Sequence, residues 1–431
     1  MPQRLSVFLN RKHAGILTLT GMEDIYNLEY NESWLGGEGF PVSPHLKPPE
    51  INSEKIKRFL SNLLPEGKWL EELSVNSRLS KSNIFGLIAK LGAETTGALS
   101  FYFDEEKQKS SASVFRAIPA DELKERISRR STVSIASWDG KQRLSVAGMQ
   151  EKLPLLIKPD GQYGFGEGEL ASTHIMKFNS RPDTHMVINE FLCMKLARMV
   201  NIPAAEVSLK YFDEPVLLVE RFDRQWNGEI IDRLHIIDGC QMLDLPPAYK
   251  YERPFGSSGH AGEIRTGANL PQLFNAADLC RVPARTRMDL LNWILFQLII
   301  GNCDAHGKNI SFFVRKDGID IAPAYDMLNV DIYGDLFDHE MAMAIGDEFS
   351  LNSIQSFQLA EFCEGCGLQQ RLTAKNLGRL CDAVLNSIDN LKIDIILSSD
   401  EKDFAMELIK DIKTKALHFK TVSLQLPGIK L

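Results

Sequence analysis

No apolar run in this chain is long enough to cross a bilayer as a helix. The best candidate, 288–300, falls short of the roughly 20 residues a span needs and contains Asp289, Asn292 and Gln297. The opening Met1-Pro2-Gln3-Arg4-Leu5-Ser6-Val7-Phe8-Leu9 lacks the apolar stretch of a secretory signal, so a cytoplasmic protein with no membrane partner is expected. A disulfide framework is also missing. The seven cysteines are an odd number scattered from 193 to 381, and Cys363-Glu364-Gly365-Cys366 has no second pair at zinc-site spacing. Positive charge is not in excess: 49 Lys and Arg against 57 Asp and Glu leave −8. That balance argues against a broad nucleic-acid surface, and the best candidate for a local basic patch, the run 124–130, reads as a solvated face or linker. Glycine is scarce where a phosphate loop would use it. The stretch 146–152 has a single one, which matches neither G-x-G-x-x-G nor a Walker loop.

What is present is concentrated. At 431 residues, 44% hydrophobic and 25% charged, the chain can build two or three domains with cores of their own. The densest chemistry lies in Gly301-Asn302-Cys303-Asp304-Ala305-His306-Gly307-Lys308-Asn309, followed after the strand-like run 310–314 by Ala324-Tyr325-Asp326. Asp-x-x-x-x-Asn and a later lone acid are parts that phosphoryl transfer to a hydroxyl requires. One carboxylate accepts the hydroxyl proton, while an Asn carbonyl and a second carboxylate hold Mg²⁺ against nucleotide phosphates. The spacing equals that of the protein-kinase loop H-R-D-x-x-x-x-N, although His-Arg is absent and Tyr325-Asp326-Met327 replaces Asp-Phe-Gly. The same residue types suit a plain capped turn. The apolar run 288–300 before them favours chemistry, because a polar loop at the end of a buried helix needs partners.

Along the chain, 5–9, 15–20 and 25–30 read as strands, with a hairpin turn at Asn10-Arg11-Lys12. A helix starts at Ser53-Glu54-Lys55-Ile56 and stops near Pro65, two more lie near 67–78 and 81–91, and 97–103 returns as a strand. The polar stretch 104–113 is a linker. A short helix follows 119–121, then strands at 153–157, 162–165 and 173–178, a helix over 185–200, and strands at 205–211 and 216–220. Beyond 231 the chain turns helical, with a mobile loop at 257–262 and helices near 270–280, 284–300, 353–365, 373–388 and 399–418. This order predicts an α/β (α+β) chain with a protein-kinase-like two-lobed fold. The parts are an N-terminal α+β subdomain (1–105), a kinase small lobe (106–235) and a mostly α-helical C-terminal lobe (236–431).

Within that order Lys177 stands where a strand lysine meets α- and β-phosphates, or else points to solvent. Glu190 on the next helix either orients that lysine or faces solvent. The connector Arg221-Phe222-Asp223-Arg224 is either a hinge offering backbone groups to adenine or a salt-bridged turn.

Five segments occur in the order of one family. Ser145-Val146-Ala147-Gly148-Met149-Gln150-Glu151-Lys152, Thr173-His174-Ile175-Met176-Lys177, Val219-Glu220-Arg221-Phe222-Asp223-Arg224, Asp304-Ala305-His306-Gly307-Lys308-Asn309 and Tyr325-Asp326 resemble the HipA family of serine/threonine kinase toxins. Asn62-Leu63-Leu64-Pro65 and the opening strands resemble that family's N-terminal subdomain. The resemblance covers essentially the whole chain. It implies ATP and Mg²⁺ as cofactors, Asp304 as catalytic base, and Asn309 and Asp326 as metal ligands. It also implies ATP-binding roles for Ala147, Gly148, Met149, Gln150, Glu151, Lys152, Lys177, Glu220, Arg221, Phe222, His306, Lys308, Asn309, Tyr325 and Asp326. Ser145 resembles the family's autophosphorylated serine, whose modification inactivates the kinase. Met149 departs from the smaller residue familiar there. The implied partners are a dimeric helix-turn-helix antitoxin of the HipB type, operator DNA mainly through that antitoxin, and a protein substrate for which glutamyl-tRNA synthetase is the family suggestion. Phosphorylating that substrate would block translation and cause growth arrest or persistence.

Two other classes share parts of the pattern. A small-molecule kinase of the aminoglycoside or choline type has Asp-x-x-x-x-Asn, but usually after His-Gly, where this chain has Asn302-Cys303. A pseudokinase co-repressor would bind DNA with its antitoxin and transfer nothing. Intact Lys177, Asp304, Asn309 and Asp326 argue against it.

Overall fold

The structure, a computed structural model, describes every residue except 1, 22–23, 93–94, 104–112, 140, 143–150, 338 and 394–395. The side chains of 141, 142, 182 and 335 are likewise outside the description. The chain divides into two compact units. The first comprises Met1–Phe178, Phe212–Pro247 and Phe312–Ile319, and the second Asn179–Tyr211, Ala248–Ser311 and Asp320–Leu431.

The first unit opens with an antiparallel sheet in the order Ile25–Tyr30, Lys12–Thr20, Gln3–Leu9, Leu99–Tyr102. Asn10, at φ 52, makes the tight turn between the first two strands in sequence. Leu5, Val7 and Leu17 are buried, the period-two pattern of a half-covered sheet. Helix Ser53–Asn62 starts where the Asn52 side chain accepts the Lys55 N–H, and it buries Ile56, Phe59 and Leu60. Helix Ile84–Leu91 starts the same way, with Asn83 accepting from Gly86.

This N-terminal part is stitched to the segment 233–245. Asn10 and Arg233 exchange two hydrogen bonds of 2.9 Å. His45 Nε2 lies 2.8 Å from the Met242 carbonyl. Arg58 forks onto Asp244 at 3.0 and 2.6 Å, and Asn62 Nδ2 donates to the Leu245 carbonyl at 2.8 Å. The second sheet of the unit places neighbouring antiparallel strands in the order Pro215–Glu220, His174–Lys177, Lys152–Ile157, Tyr163–Glu167, Val114–Ala117.

The second unit is built around helix Pro283–Ile300, which is buried almost all round from Leu290 to Ile300. Proline at its first turn costs no hydrogen bond. Gly301 ends it at φ 77 with its N–H on the Gln297 and Leu298 carbonyls. Helices Met186–Met199, Leu270–Ala276, Ser356–Gly365, Gln370–Ser387 and Ser399–Gln425 complete the unit.

Helices predominate beyond 231 as expected, but short strands that were not expected lie among them. Strands Ile236–Asp238, Ser311–Arg315 and Gly318–Ile321 and the hairpin Glu340–Ile345/Glu348–Ser350 lie there. Pieces of three to six residues are too short for periodicity to separate them from helical turns. The helix expected over 399–418 runs on to Gln425, because Phe419 and Val422 continue its buried face. The stretch 257–262, read as a mobile loop, holds most of the 3₁₀ turn Gly259–Glu263.

Candidate active site

In the second unit, Asn302 turns the chain out of the buried helix. Its N–H and side-chain amide donate to the Gln297 carbonyl and Oε1, the latter at 2.8 Å, and its own Oδ1 accepts the Asp304 N–H at 3.2 Å. The Asp304 carbonyl then accepts the His306 N–H at 2.8 Å and Asn309 Nδ2 at 2.9 Å. Asp304 and Asn309 are therefore tied by the loop itself, through one N–H of the Asn309 amide. His306 Nδ1 accepts the Lys308 N–H at 3.3 Å. The Lys308 carbonyl accepts the Tyr325 hydroxyl at 2.7 Å, and that hydroxyl also lies 2.7 Å from Ser311 Oγ. Tyr325 thus fastens the later acid segment to the Asp304 loop.

Asp326 follows at φ 57, a left-handed conformation that Asp tolerates better than most residues yet still at a cost. The flanking chain holds it there. The Ala324 N–H donates to the Pro203 carbonyl at 2.8 Å, and the Ala324 carbonyl accepts the Ala205 N–H at 2.9 Å. Glu190 is 1% exposed on helix Met186–Met199, so it does not face solvent.

In the first unit, Lys152 and Lys177 are direct partners across the antiparallel pair, 9% and 7% exposed. Directly opposite side chains start about 4.5–5.5 Å apart at Cβ, where like charges repel. Ser145 and Ala147–Gln150 lie outside the described residues. Glu151 accepts the Phe178 N–H at its carbonyl, and its carboxylate faces Arg130 and Lys68, each at 3.5 Å.

Glu220, at the end of its strand, is exposed and sits opposite His174 in the register. Burial pushes the His174 imidazole down to about 4. The Arg221 side chain is committed to a buried fork on Asp223, at 3.0 and 2.9 Å, and to Ser172 Oγ. Arg224 adds a third contact to Asp223 at 2.6 Å. Burial alone would raise the Asp223 carboxyl, but the two guanidiniums outweigh it and hold it at about 2. The connector therefore carries a buried ion-paired turn between its side chains, and the Arg221 N–H donates to the Thr173 carbonyl. Phe222 packs edge-on against Phe313, 5.8 Å between centroids.

Two residues at the site carry no motif in the sequence. The Tyr251 hydroxyl donates to Asp304 Oδ1 at 2.8 Å. Asn329, fully buried, links three elements. It exchanges bonds with Asn189 beside Glu190, at 2.8 Å each way. It also donates to Asp411 at 2.6 Å and accepts the Ile332 N–H. A polar residue within a few positions of a motif acid is the one signal that could have flagged Asn329. Among the described residues, no group of three or more His, Cys, Asp or Glu side chains gathers as a metal cage, and Cys363 and Cys366 are buried free thiols.

The family model for the HipA-like C-terminal domain matches residues 144–388, and that for the HipA N-terminal domain matches 5–102. The serine/threonine-protein kinase toxin HipA of Shewanella oneidensis is 39% identical over 405 residues, covering 93% of this chain and 92% of the toxin. The protein Y4mE of Sinorhizobium fredii is 29% identical, covering 89% of this chain and 90% of its own. The solved complex of HipA, HipB and operator DNA from Shewanella oneidensis MR-1 contains a chain of the same fold. Its TM-score is 0.87 at 37% identity, covering 99% of this chain and 100% of that one. Matches of this extent over both ends of the chain establish that it belongs to the HipA family of serine/threonine-protein kinase toxins.

Proposed function

We propose that the chain transfers the γ-phosphoryl group of ATP, with Mg²⁺, to a serine or threonine of a target protein, as the toxin of a toxin–antitoxin pair. The observation that carries the reading is the cross-tied loop, in which one residue's amide fixes another's backbone so that Asp304 and Asn309 keep a set separation. Asp304 takes the proton of the attacking hydroxyl as its oxygen bonds phosphorus and the ADP oxygen leaves.

The donor set suits Mg²⁺. Asn309 Oδ1 and the Asp326 carboxylate are hard oxygens, and two of them match an ion whose remaining ligands are phosphate oxygens and water. Bound there, Mg²⁺ would offset phosphate charge. Lys152 and Lys177, side by side and largely buried, would receive phosphate oxygens. Glu151 and the residues Ala147, Gly148, Met149 and Gln150 would complete the phosphate loop. Glu220, Arg221 and Phe222 would meet adenine; the Arg221 side chain is engaged elsewhere, so its contribution would be backbone. His306, Lys308 and Tyr325 would hold the loop that carries Asp304.

Ser145 is the proposed self-modified serine. A phosphate there brings a charge of about −1.5 to −2 toward the nucleotide phosphates, and repulsion would end activity. By likeness to the Shewanella complex, the partners are a HipB-like antitoxin and, through it, operator DNA. Glutamyl-tRNA synthetase is the proposed target class, with growth arrest and persistence as the outcome in a cytoplasmic setting.

Incubation with Mg²⁺–ATP, followed by intact mass and phosphosite mapping, tests this. One phosphate on Ser145 is expected in the wild type and none in Asp304→Gln. No gain in a protein free of prior phosphate would point instead to a small-molecule kinase or a non-catalytic co-repressor.

A further inference from the structure

A carboxylate that must accept a proton in one direction has a difficulty. The terminal torsion of Asp is broad and two-fold, so its two oxygens exchange places readily. Asp304 is tethered by its backbone, and nothing in the Asp-x-x-x-x-Asn pattern fixes the rotation of its carboxylate.

We propose that Tyr251 is a positioning residue for phosphoryl transfer, its hydroxyl pinning Asp304 Oδ1 so that Oδ2 is the atom presented to the incoming hydroxyl. This rests on the reading of Asp304 as proton acceptor. The hydroxyl lies 2.8 Å from Oδ1. The Tyr251 ring is itself held, edge-on against His306 of the same loop at 5.1 Å and 86°.

The backbone on either side of Tyr251 is bonded to that loop or its neighbours. The Lys250 carbonyl accepts the Gly307 N–H at 2.9 Å. The Glu252 N–H donates to Ala342, whose own N–H donates to the Cys303 carbonyl at 2.7 Å. The buried Glu252 carboxylate is held by Arg265 at 2.6 Å and by the Ala344 N–H at 2.8 Å. Gly267 packs so closely that a Cβ there would stand 1.8 Å from the Tyr251 carbonyl. Tyr251 is thus carried by a frame that is hydrogen-bonded to the Asp304 loop.

A phenol keeps its proton at neutral pH, so it donates throughout the cycle and its proton is not consumed. The substrate O–H bond breaks, an Oδ2–H bond forms, and the Tyr251 O–H stays intact.

The test uses the full chain and labelled Mg²⁺–ATP, reading the maximal rate of self-labelling and the ATP concentration at half that rate. Tyr251→Phe keeps the ring and its packing on His306. Loss of one hydrogen bond used in the transition state is expected to lower the maximal rate about tenfold. Half-saturating ATP and Tm should stay at the wild-type values. Tyr251→Leu should fall at least as far.

An unchanged maximal rate in Tyr251→Phe, with Asp304→Asn inactive, would overturn the proposal and leave the reading of Asp304 standing. A fall in rate matched by a lower Tm or by weaker ATP saturation would make Tyr251 a packing residue and overturn it too. Wild-type labelling by Asp304→Asn would remove the proton acceptor itself, and the proposal with it.

Discussion

Single residues at this site are held in conformations that the chain would not choose unaided. Asp326 is the clearest case. Its left-handed backbone costs on the order of 1 kcal/mol, and the bonds on either side of Ala324 keep it there. Asn accepts the same conformation and keeps one oxygen, but it loses the charge. Asp326→Asn is therefore expected to match the wild type in Tm while Mg²⁺-dependent labelling drops by at least about a hundredfold. Retained labelling at ordinary Mg²⁺ concentrations would remove Asp326 from the metal-binding role. The acids and the amide of this site were legible because their spacing survives in one dimension. Tyr251 was not, because it lies 53 positions from Asp304 and meets it only through folding. Ser145 and its loop, singled out in the sequence, fall outside the described residues.

At the scale of elements, the helix Pro283–Ile300 aims the Asp304 loop. Its extent was readable as a helix near 284–300, and its apolar run 288–300 as a buried body. What could not be read is how tightly its end is packed. A Cβ on Gly301 would stand 2.8 Å from Asn329 Oδ1 and 2.9 Å from Lys415 Cε. Gly301→Ala therefore combines left-handed strain with a clash against the network behind the loop. We expect a loss of about 2 kcal/mol in unfolding experiments, with labelling reduced as Asn329 shifts. A variant as stable as the wild type would mean that the network yields freely. The short strands beyond 231 were missed for a related reason. Their places are set by partners distant in sequence, as when the Val314 N–H finds the His235 carbonyl.

For the whole molecule, acid sensitivity follows from two histidines of the first unit. Burial lowers both His174 and His235 to about 4, with the Val42 carbonyl opposing it weakly at His235. Between the ordinary value of 6.5 and about 4, the unfolded chain binds protons that the folded chain refuses. Stability therefore falls as pH drops through that window and is fully present above it. Asp223 acts lower down, since its depressed value makes its contribution vanish only between about 4 and 2. Tm measured from pH 7 to 4 should decline, and His174→Gln combined with His235→Gln should flatten the decline. An equal slope in that variant would assign the effect to carboxylates instead.

The network behind Asp326 also has a consequence for the order in which the protein is made. Lys415, on helix Ser399–Gln425, bridges Asp331 at 2.8 Å and Asp411 at 2.6 Å, and Asp411 in turn holds Asn329. The Asp304 loop leaves the ribosome well before that helix, some seconds earlier at roughly 5–20 residues per second. During that interval the loop exists while the segment following Asp326 still lacks its support from the distant helix. For a toxin kinase this is a built-in delay: a nascent chain carries Asp304, the proposed proton acceptor, before it can hold the rest of the site in register.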